Sequence, residues 1–312
     1  MGKLIQVHPK FVSPHPKQVI HGKDGLVLSE DETLQYAKYE PIVCKFCGSE
    51  NIVRFGVREG VQNYLCRNCG RKFTAKDTPE GMRTEAEQIA DSLQSFYDGL
   101  SMADIALNLE RTYNNPVNPS TVYRWLIKYT GKAIEILEPM KPEVSGIYIA
   151  DETAIKINGK LHWIWDCIDR DTRFLVASYL SPNRGTREAK ILMELAYRRT
   201  GKPPKQILTD KLSAYLDGIE LVFGADTKHI QSTPFSGTDS TNIIERFQGT
   251  IKERTKVLRG FKSLETARFI LDGFMLNYNF FRPHIALNHK TPAEVAGIKT
   301  DIKTWEDVVR YG

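Results

Sequence analysis

The sequence predicts a multidomain protein whose largest part is an α/β domain, and three observations lead to this fold class. Two cysteine pairs lie between residues 44 and 69 at a spacing typical of metal ligands. Three short helical segments with capping signals follow, between residues 83 and 131. From residue 146 strand patterns alternate with helical ones. A chain of 312 residues is long enough for two or three such domains.

The overall composition narrows the class of protein. A formal net charge of +5 and a pI near 8.8 make the chain mildly basic, which permits a nucleic-acid partner without requiring one. We find no apolar run of membrane-spanning length and no secretory pattern at the N-terminus. Because the cysteines number five, an odd count, a disulfide framework is not expected. We therefore expect a cytoplasmic protein.

The segment 41–78 is predicted to be a zinc ribbon. Its two C-x2-C pairs are separated by 18 residues, and a glycine after each pair allows the tight turn that such a site needs. A segment this small requires the metal in order to fold. The predicted Zn²⁺ ligands are Cys44, Cys47, Cys66 and Cys69. Seven Lys or Arg against two Glu between Lys45 and Lys76 favour DNA contact, with a purely structural or dimerising ribbon as the alternative.

Residues 80–135 are predicted to form a helix-turn-helix domain. Ser101 begins a capping box for the second helix, Asn118 and Pro119 suit the start of the third, and Gly131 suits its end. The third helix combines polar and basic residues with an apolar face, as a DNA-reading helix does. A small helical bundle that binds nothing is the alternative. The predicted DNA contacts of this helix are Ser120, Thr121, Tyr123, Arg124 and Lys128.

Residues 143–298 are predicted to form the α/β domain around a mixed sheet. The runs "GIYIAD", "KLHWIWDCID", "RFLVASYL", "KQILTD" and "TKHIQS" have strand character, and "TREAKILMELAYRRT" is helical. A basic helix follows from about residue 241. Residues 1–40 are interpreted as a flexible arm that includes one possible short helix, and residues 299–312 as a C-terminal tail.

Three carboxylates are the candidate catalytic residues of this domain. Asp151 and Asp210 are each expected at the C-terminal end of a strand, and Glu245 lies on the basic helix. Clustered acids repel one another and normally require a cation, and hard oxygen ligands suit Mg²⁺ or Mn²⁺. Two such ions support phosphoryl transfer. Asp166, Asp169 and Asp171 are interpreted as turn residues, and Glu152 is expected to point away from the cluster.

These motifs resemble the DDE transposases of prokaryotic insertion sequences. The resemblance rests on "DET" at 151, "TDK" at 209–211 and "NIIERFQGTIKERTKVLRGFKS" at 242–263. The 34 residues between Asp210 and Glu245 are most similar to the insertion-sequence-six family. Residues 278–297 resemble the tail of several integrase-like transposases. The resemblance covers roughly residues 80–297 and implies a ribonuclease H-like catalytic domain with a mixed five-stranded sheet.

The resemblance also implies an activity and the residues that carry it out. The activity would be cleavage of the element ends, which releases 3′ hydroxyls, and transfer of these hydroxyls to target DNA. Asp151, Asp210 and Glu245 would bind the catalytic Mg²⁺ or Mn²⁺, with Lys252 two helical turns after Glu245 and on the same face. The partners would be the terminal inverted repeats and target DNA, bound by a homodimer or a larger synaptic assembly. A non-catalytic regulator derived from a transposase and a metal-dependent nuclease of the same fold are the alternatives. The predicted DNA contacts on the basic helix are Asn242, Arg246, Lys252 and Arg254.

Overall fold

A computed structural model describes residues 42–58, 61–74, 78–79, 82–231, 241–256, 258 and 260–311. The predicted N-terminal arm, residues 1–40, with its possible short helix, lies outside these residues, as does most of the polar loop before the basic helix. The chain divides into two compact units, Met1–Lys76 and Asp77–Gly312. The predicted helical domain and the α/β domain thus fall within one unit.

The first unit contains a three-stranded antiparallel sheet. Strands β1 (Ile52–Arg58), β2 (Val61–Cys66) and β3 (Lys72–Thr74) are arranged in the order β1-β2-β3. The third strand has only three residues, too few to give a strand pattern in the sequence. Among the described residues of this unit, the buried core consists of Tyr64 and Phe73, whose rings stack at 5.7 Å, together with Cys44 and Cys66. So small an apolar core cannot offset the entropy cost of ordering this segment on its own.

Three helices open the second unit: α1 (Ala86–Tyr97), α2 (Met102–Tyr113) and α3 (Pro119–Leu137). The Ser101 side chain accepts a hydrogen bond from the backbone of Asp104, and the Asn118 side chain accepts one from Ser120, as their capping roles predict. The prediction that α3 ends at Gly131 is wrong. The helix continues to Leu137 because its apolar face continues, and this burial outweighs the cost of one glycine, about 1 kcal/mol.

The α1–α3 region packs directly onto the end of the chain. Tyr97 of α1 stacks on Trp305 of α9 (Trp305–Arg310) with ring centroids 5.0 Å apart, and its hydroxyl shares a 2.6 Å hydrogen bond with Thr130 of α3. Gly273 of α7 (Leu264–Leu276) makes room for this contact, since a Cβ there would lie 2.0 Å from the Tyr97 hydroxyl. The segment predicted as a C-terminal tail therefore contains a buried helix that completes the core.

The rest of the second unit is built on a mixed five-stranded sheet, as predicted. Its strands are β4 (Ile147–Ile157), β5 (Lys160–Asp169), β6 (Leu175–Ser181), β7 (Gln206–Thr209) and β8 (Lys228–Gln231). The order is β6-β5-β4-β7-β8, in which β4, β5 and β6 are antiparallel and β7 and β8 are parallel extensions beside β4.

One strand boundary differs from the prediction. Strand β4 does not end at Asp151 but continues six residues further, to a tight turn at Asn158 and Gly159, both with positive φ. An Asn-Gly pair is the strongest short signal for a hairpin turn, and it was overlooked in the strand assignment. Asp151 consequently lies in the middle of β4, whereas Asp210 directly follows β7 as expected.

Helices pack against the strands of the sheet. Helix α4 (Thr186–Thr200) packs on β5, β6 and α5 (Ser213–Phe223), and α6 (Asn242–Lys256) packs on β4 and β5. A π-helical turn, Asn277–Phe281, follows α7, and α8 (Pro292–Val295) precedes α9. Short 3-10 turns lie at Gly224–Asp226 and Ile285–Leu287. Within the described residues, we find no helix with the length and apolarity needed to cross a membrane.

Candidate active site and zinc-binding cluster

The acidic cluster lies where β4 and β7 run side by side. Asp151 projects from the middle of β4, and the parallel pairing of β7 with β4 places Asp210 beside it. Carboxylate oxygens of Asp151, Glu152 and Asp210 all lie within 4.8 Å of one another. Two of the three predicted catalytic acids are thus brought together by sheet pairing alone.

The electrostatics of this cluster show a local excess of negative charge. Burial, followed by the charges of Glu152 and Asp210, raises the pKa of Asp151 to about 7. A carboxylate whose pKa lies that far above its usual value is poorly compensated by the protein itself. The donor set is oxygen only, which is the set preferred by Mg²⁺ and Mn²⁺. The residues present therefore fit a divalent cation.

Asp166 is part of this environment, and its interpretation as a turn residue is wrong. It lies in the middle of β5, directly opposite Asp151 in the antiparallel register, and is buried. The Ser178 hydroxyl donates a 2.7 Å hydrogen bond to one of its oxygens, and burial raises its pKa to about 7. Asp169 and Asp171 do lie at the β5–β6 turn, where Asp169 accepts hydrogen bonds from Thr172 and Asp171 pairs with Arg170.

Glu152 was excluded from the candidate residues, yet it contributes an oxygen to the cluster. Its side chain is 1% exposed and pairs with Arg184, which follows β6. Both the Nε and Nη2 groups of Arg184 donate to Oε1 of Glu152, the former at 2.8 Å. The alternation of side chains along a strand predicts opposite directions for Asp151 and Glu152, but not how closely two neighbouring carboxylates approach. No signal in the sequence pointed to Arg184.

Glu245 lies apart from the other two predicted catalytic acids. It is exposed in the first turn of α6, where its Oε1 accepts a 2.7 Å hydrogen bond from the Thr241 hydroxyl, and it does not belong to the described acidic cluster. Helix α6 is anchored by its buried face, which includes Ile244, Phe247 and Gln248. The structure therefore brings α6 to the catalytic sheet without joining Glu245 to Asp151 and Asp210.

The predicted DNA contacts on α6 differ in their surroundings. Arg246 and Lys252 are exposed, and Asn242 is the exposed first residue of the helix. The Arg254 side chain, in contrast, is only 16% exposed, and its Nη1 lies 3.4 Å from a carboxylate oxygen of Asp98, which follows α1. A DNA contact by Arg254 would require this ion pair to open, and it stays a prediction.

The predicted DNA contacts at the start of α3 lie mostly on the surface. Ser120, Arg124 and Lys128 are exposed, Thr121 is half-buried, and Tyr123 is 37% exposed. The Arg124 guanidinium bonds back to Ser120, one turn earlier. Because Val122, Trp125 and Leu126 fill the buried face, the exposed face of α3 is available to a partner.

The four predicted zinc ligands converge in the first unit. Their sulfur atoms all lie within 4.8 Å of one another, with Cys44 and Cys69 3.6 Å apart and Cys47 and Cys66 also 3.6 Å apart. Tetrahedral Zn²⁺ with Zn–S bonds of about 2.3 Å requires sulfur–sulfur separations of roughly 3.8 Å, so the cluster fits this metal. All four cysteines are free of disulfides. Cys167, the fifth cysteine, is buried in β5.

The chain is similar to a known protein family and to several known proteins. The family profile described as a DDE domain, of the IS240 transposase type, matches residues 146–284. The chain is 28% identical to the transposase for insertion sequence-like element IS431mec of Staphylococcus aureus, over 59% of this chain and 79% of that protein. It is 26% identical to an insertion element ISM1 uncharacterized 48.3 kDa protein of Methanobrevibacter smithii, over 52% of this chain and 41% of that protein.

Solved structures were compared in the same way. The catalytic core domain of HTLV-2 integrase in complex with magnesium matches half of this chain and 97% of that chain, at 17% identity and a TM-score of 0.39. Residues 146–284 of this chain match the DDE domain family.

Proposed function

We propose that this protein is a DNA transposase that binds the ends of its element, cleaves them and joins the released 3′ hydroxyls to target DNA. The observation that carries the proposal is the approach of Asp151 and Asp210 within a DDE domain. The chain spans only 41% of the archaeal relative named above, so the activity is argued from this chain's own residues.

Asp151 and Asp210 would hold the catalytic Mg²⁺ or Mn²⁺, and Glu245 would complete the ligand set. The raised pKa of Asp151 and the oxygen-only donors support this assignment for the first two residues. When bound, a pair of divalent ions supplies an activated hydroxyl nucleophile and stabilises the leaving oxygen. For Glu245 the support is its place in the first turn of α6, which packs against β4, the strand of Asp151.

The protein's own residues would hold the DNA strand at this site. Lys252 and Arg246 are exposed on the helix that carries Glu245, and lysine or arginine neutralises phosphate charge without reading sequence. Asn242 begins the same helix, where its side chain can contact the strand or the loop before it. The basic side chains on the helix of Glu245 would thus bind DNA, while the Glu245 carboxylate would bind the metal.

Binding of the element ends is assigned to the zinc ribbon and to α2–α3. The four-cysteine cluster supports a Zn²⁺-stabilised ribbon, and α2 and α3 are two capped helices joined by a short connection, as in a helix-turn-helix. The exposed residues of α3 would contact the terminal inverted repeats. Since two ends must be joined, a homodimer or a larger synaptic assembly is expected, working on the nucleoid in the cytoplasm.

The proposal is tested with labelled duplexes made from the DNA that flanks the gene. These are incubated with the protein and a plasmid target in the presence of Mg²⁺, Mn²⁺ or EDTA. We expect metal-dependent joining of a 3′ end to the plasmid, lost in Asp210→Asn and Glu245→Gln while the binding of ends is retained. Glu306→Gln is the control, since Glu306 pairs with Arg310 on α9, away from the acidic cluster.

Two other outcomes would replace this proposal. Metal-dependent cleavage without joining would indicate a nuclease of the same fold. Tight binding of the ends with neither reaction, when both ends are present, would indicate a non-catalytic regulator. Joining that persists in Glu245→Gln would show that the third ligand lies elsewhere.

A further inference from the structure

The arginine beside the acidic cluster is held in one orientation although it is partly open to solvent. Arg184 lies in the connection between β6 and α4, and its side chain is 39% exposed. Its Nε and Nη2 groups both donate to Glu152, and its guanidinium carbon lies 4.5 Å from the centre of the Trp163 ring. A cation–π contact and a two-donor ion pair together fix the guanidinium plane.

Glu152 places this arginine at the edge of the candidate active site. A buried carboxylate is strongly destabilising unless a cation compensates it, and Arg184 is that cation. Because the Glu152 carboxylate lies within 4.8 Å of Asp151 and Asp210, the guanidinium is anchored directly beside the two acids. Although partial burial lowers the pKa of Arg184, the hydrogen bond to Glu152 and the charges of Glu152 and Asp210 raise it above its usual value.

The guanidinium retains donor capacity after pairing with Glu152. Arginine carries five N–H donors, of which the pair with Glu152 uses those on Nε and Nη2. Its Nη1 makes no hydrogen bond within the described part of the chain. A planar, pre-oriented guanidinium suits a phosphate, and an orientation that is already fixed reduces the entropy lost on binding.

We propose that Arg184 binds a phosphate of the DNA strand that enters the Asp151–Asp210 site, with Glu152 and Trp163 as the positioning residues that orient it. A strand whose reacting phosphodiester lies at the two aspartates must pass its neighbouring phosphates beside this anchored guanidinium. The inference rests on the proposed function and adds a substrate contact outside the three acids and outside helix α6.

The experiment measures the affinity of the protein for three duplex ends. Each duplex has a methylphosphonate in place of one of three phosphates around the cleavage point. Ca²⁺ replaces Mg²⁺ so that binding is measured without cleavage. In the wild-type protein, neutralising the phosphate bound by Arg184 is expected to weaken binding about tenfold, as for loss of a charged hydrogen bond. In Arg184→Ala the same methylphosphonate should have less than a twofold effect (roughly the scatter of the measurement).

Arg187→Ala is the matched control, because Arg187 is an exposed arginine three residues away on α4. This variant should keep the full tenfold methylphosphonate effect. Arg184→Ala leaves Glu152 buried and unpaired, so the double variant Glu152→Gln with Arg184→Met, which is neutral at both positions, is measured beside it. Thermal melting verifies that each variant is folded, and the double variant should also lose the methylphosphonate effect.

The outcomes separate this inference from the function on which it rests. If all three methylphosphonates weaken binding equally in the wild type, Arg184→Ala and the double variant, Arg184 has a structural role only. If the wild-type protein neither binds nor joins the ends, the proposed transposase function fails and the assignment of Arg184 fails with it. Loss of the effect at one phosphate, in the arginine variants alone, establishes the contact.

Discussion

The carboxylate cluster of the sheet and the thiolate cluster of the ribbon both fit metals, but the protein around them differs. Asp151 and Asp210 are held by paired strands within a large apolar core, whereas the cysteines lie in a unit whose described residues form a buried core of only four. In the sheet the fold places the ligands, and in the ribbon the metal must supply folding free energy. On the proposed function, a metal would serve chemistry at the sheet and stability in the ribbon.

Metal removal should have its largest effect on the ribbon. We expect Cys66→Ser, or a strong Zn²⁺ chelator, to unfold residues 42–74, because a structural Zn²⁺ site contributes on the order of 10 kcal/mol to folding. Hydrogen exchange by mass spectrometry would show loss of protection there and retention in the five-stranded sheet. Cys167→Ala, in β5, should leave the zinc content unchanged. If the ribbon stays protected from hydrogen exchange after chelation, it does not need metal to fold, and the contrast with the sheet is wrong.

Loss of a sheet carboxylate should abolish chemistry while the fold is retained. Asp210→Asn is expected to lower the rate of strand joining by about 10³-fold or more, as for removal of a main electrostatic stabiliser. Its circular dichroism spectrum and melting temperature should stay close to those of the wild type, because Asp210 is only half-buried and follows its strand. A large fall in melting temperature would show that this acid is structural.

The cluster of Asp151, Glu152 and Asp210 should also destabilise the folded protein when no metal is bound. The pKa of Asp151 is about 7 in the folded state, raised by burial and by neighbouring acids, against 3.8 as its ordinary value. The folded state therefore binds the proton more tightly, and in EDTA stability should fall as the pH rises from about 4 to 7. The loss is on the order of 2 kcal/mol.

The variant Asp151→Asn tests whether the Asp151 carboxyl causes this dependence of stability on pH. It should remove most of the fall in stability between pH 4 and 7, measured by urea unfolding in EDTA. Asp171→Asn, at an exposed position in the β5–β6 turn, should leave the fall unchanged. If the stability of the wild-type protein rises over this pH range, groups of the protein itself compensate the negative charge of the cluster.

The smallest effect is expected for a single basic residue on α6. Lys252→Ala should weaken the binding of DNA about uniformly across sequences and reduce the slope of log affinity against log salt by about 1. Fluorescence anisotropy at several salt concentrations measures both quantities. Lys303→Ala, exposed near the C-terminus, should leave the slope unchanged. An unchanged slope in the Lys252 variant would assign this lysine to the solvated face of the helix.

Local patterns predicted most of the elements because each depends on short-range chemistry. The spacing of the cysteine pairs predicted the cluster, and Ser101 and Asn118 predicted two helix starts. Predictions failed where distant packing decided the outcome. Helix α3 continues past Gly131 because its later residues are buried, and Asp166 lies within a strand because β5 pairs with both β4 and β6.

The sequence by itself identified the candidate residues Asp151, Asp210, Glu245 and the four cysteines, since the DDE spacing and the C-x2-C pairs can be read directly from the chain. Only the tertiary structure decided which of them meet. The parallel pairing of β4 with β7 joined Asp151 to Asp210, and the burial of Glu152 required Arg184 beside it. Both follow from long-range pairing and desolvation, whose energies depend on neighbours far away in the sequence.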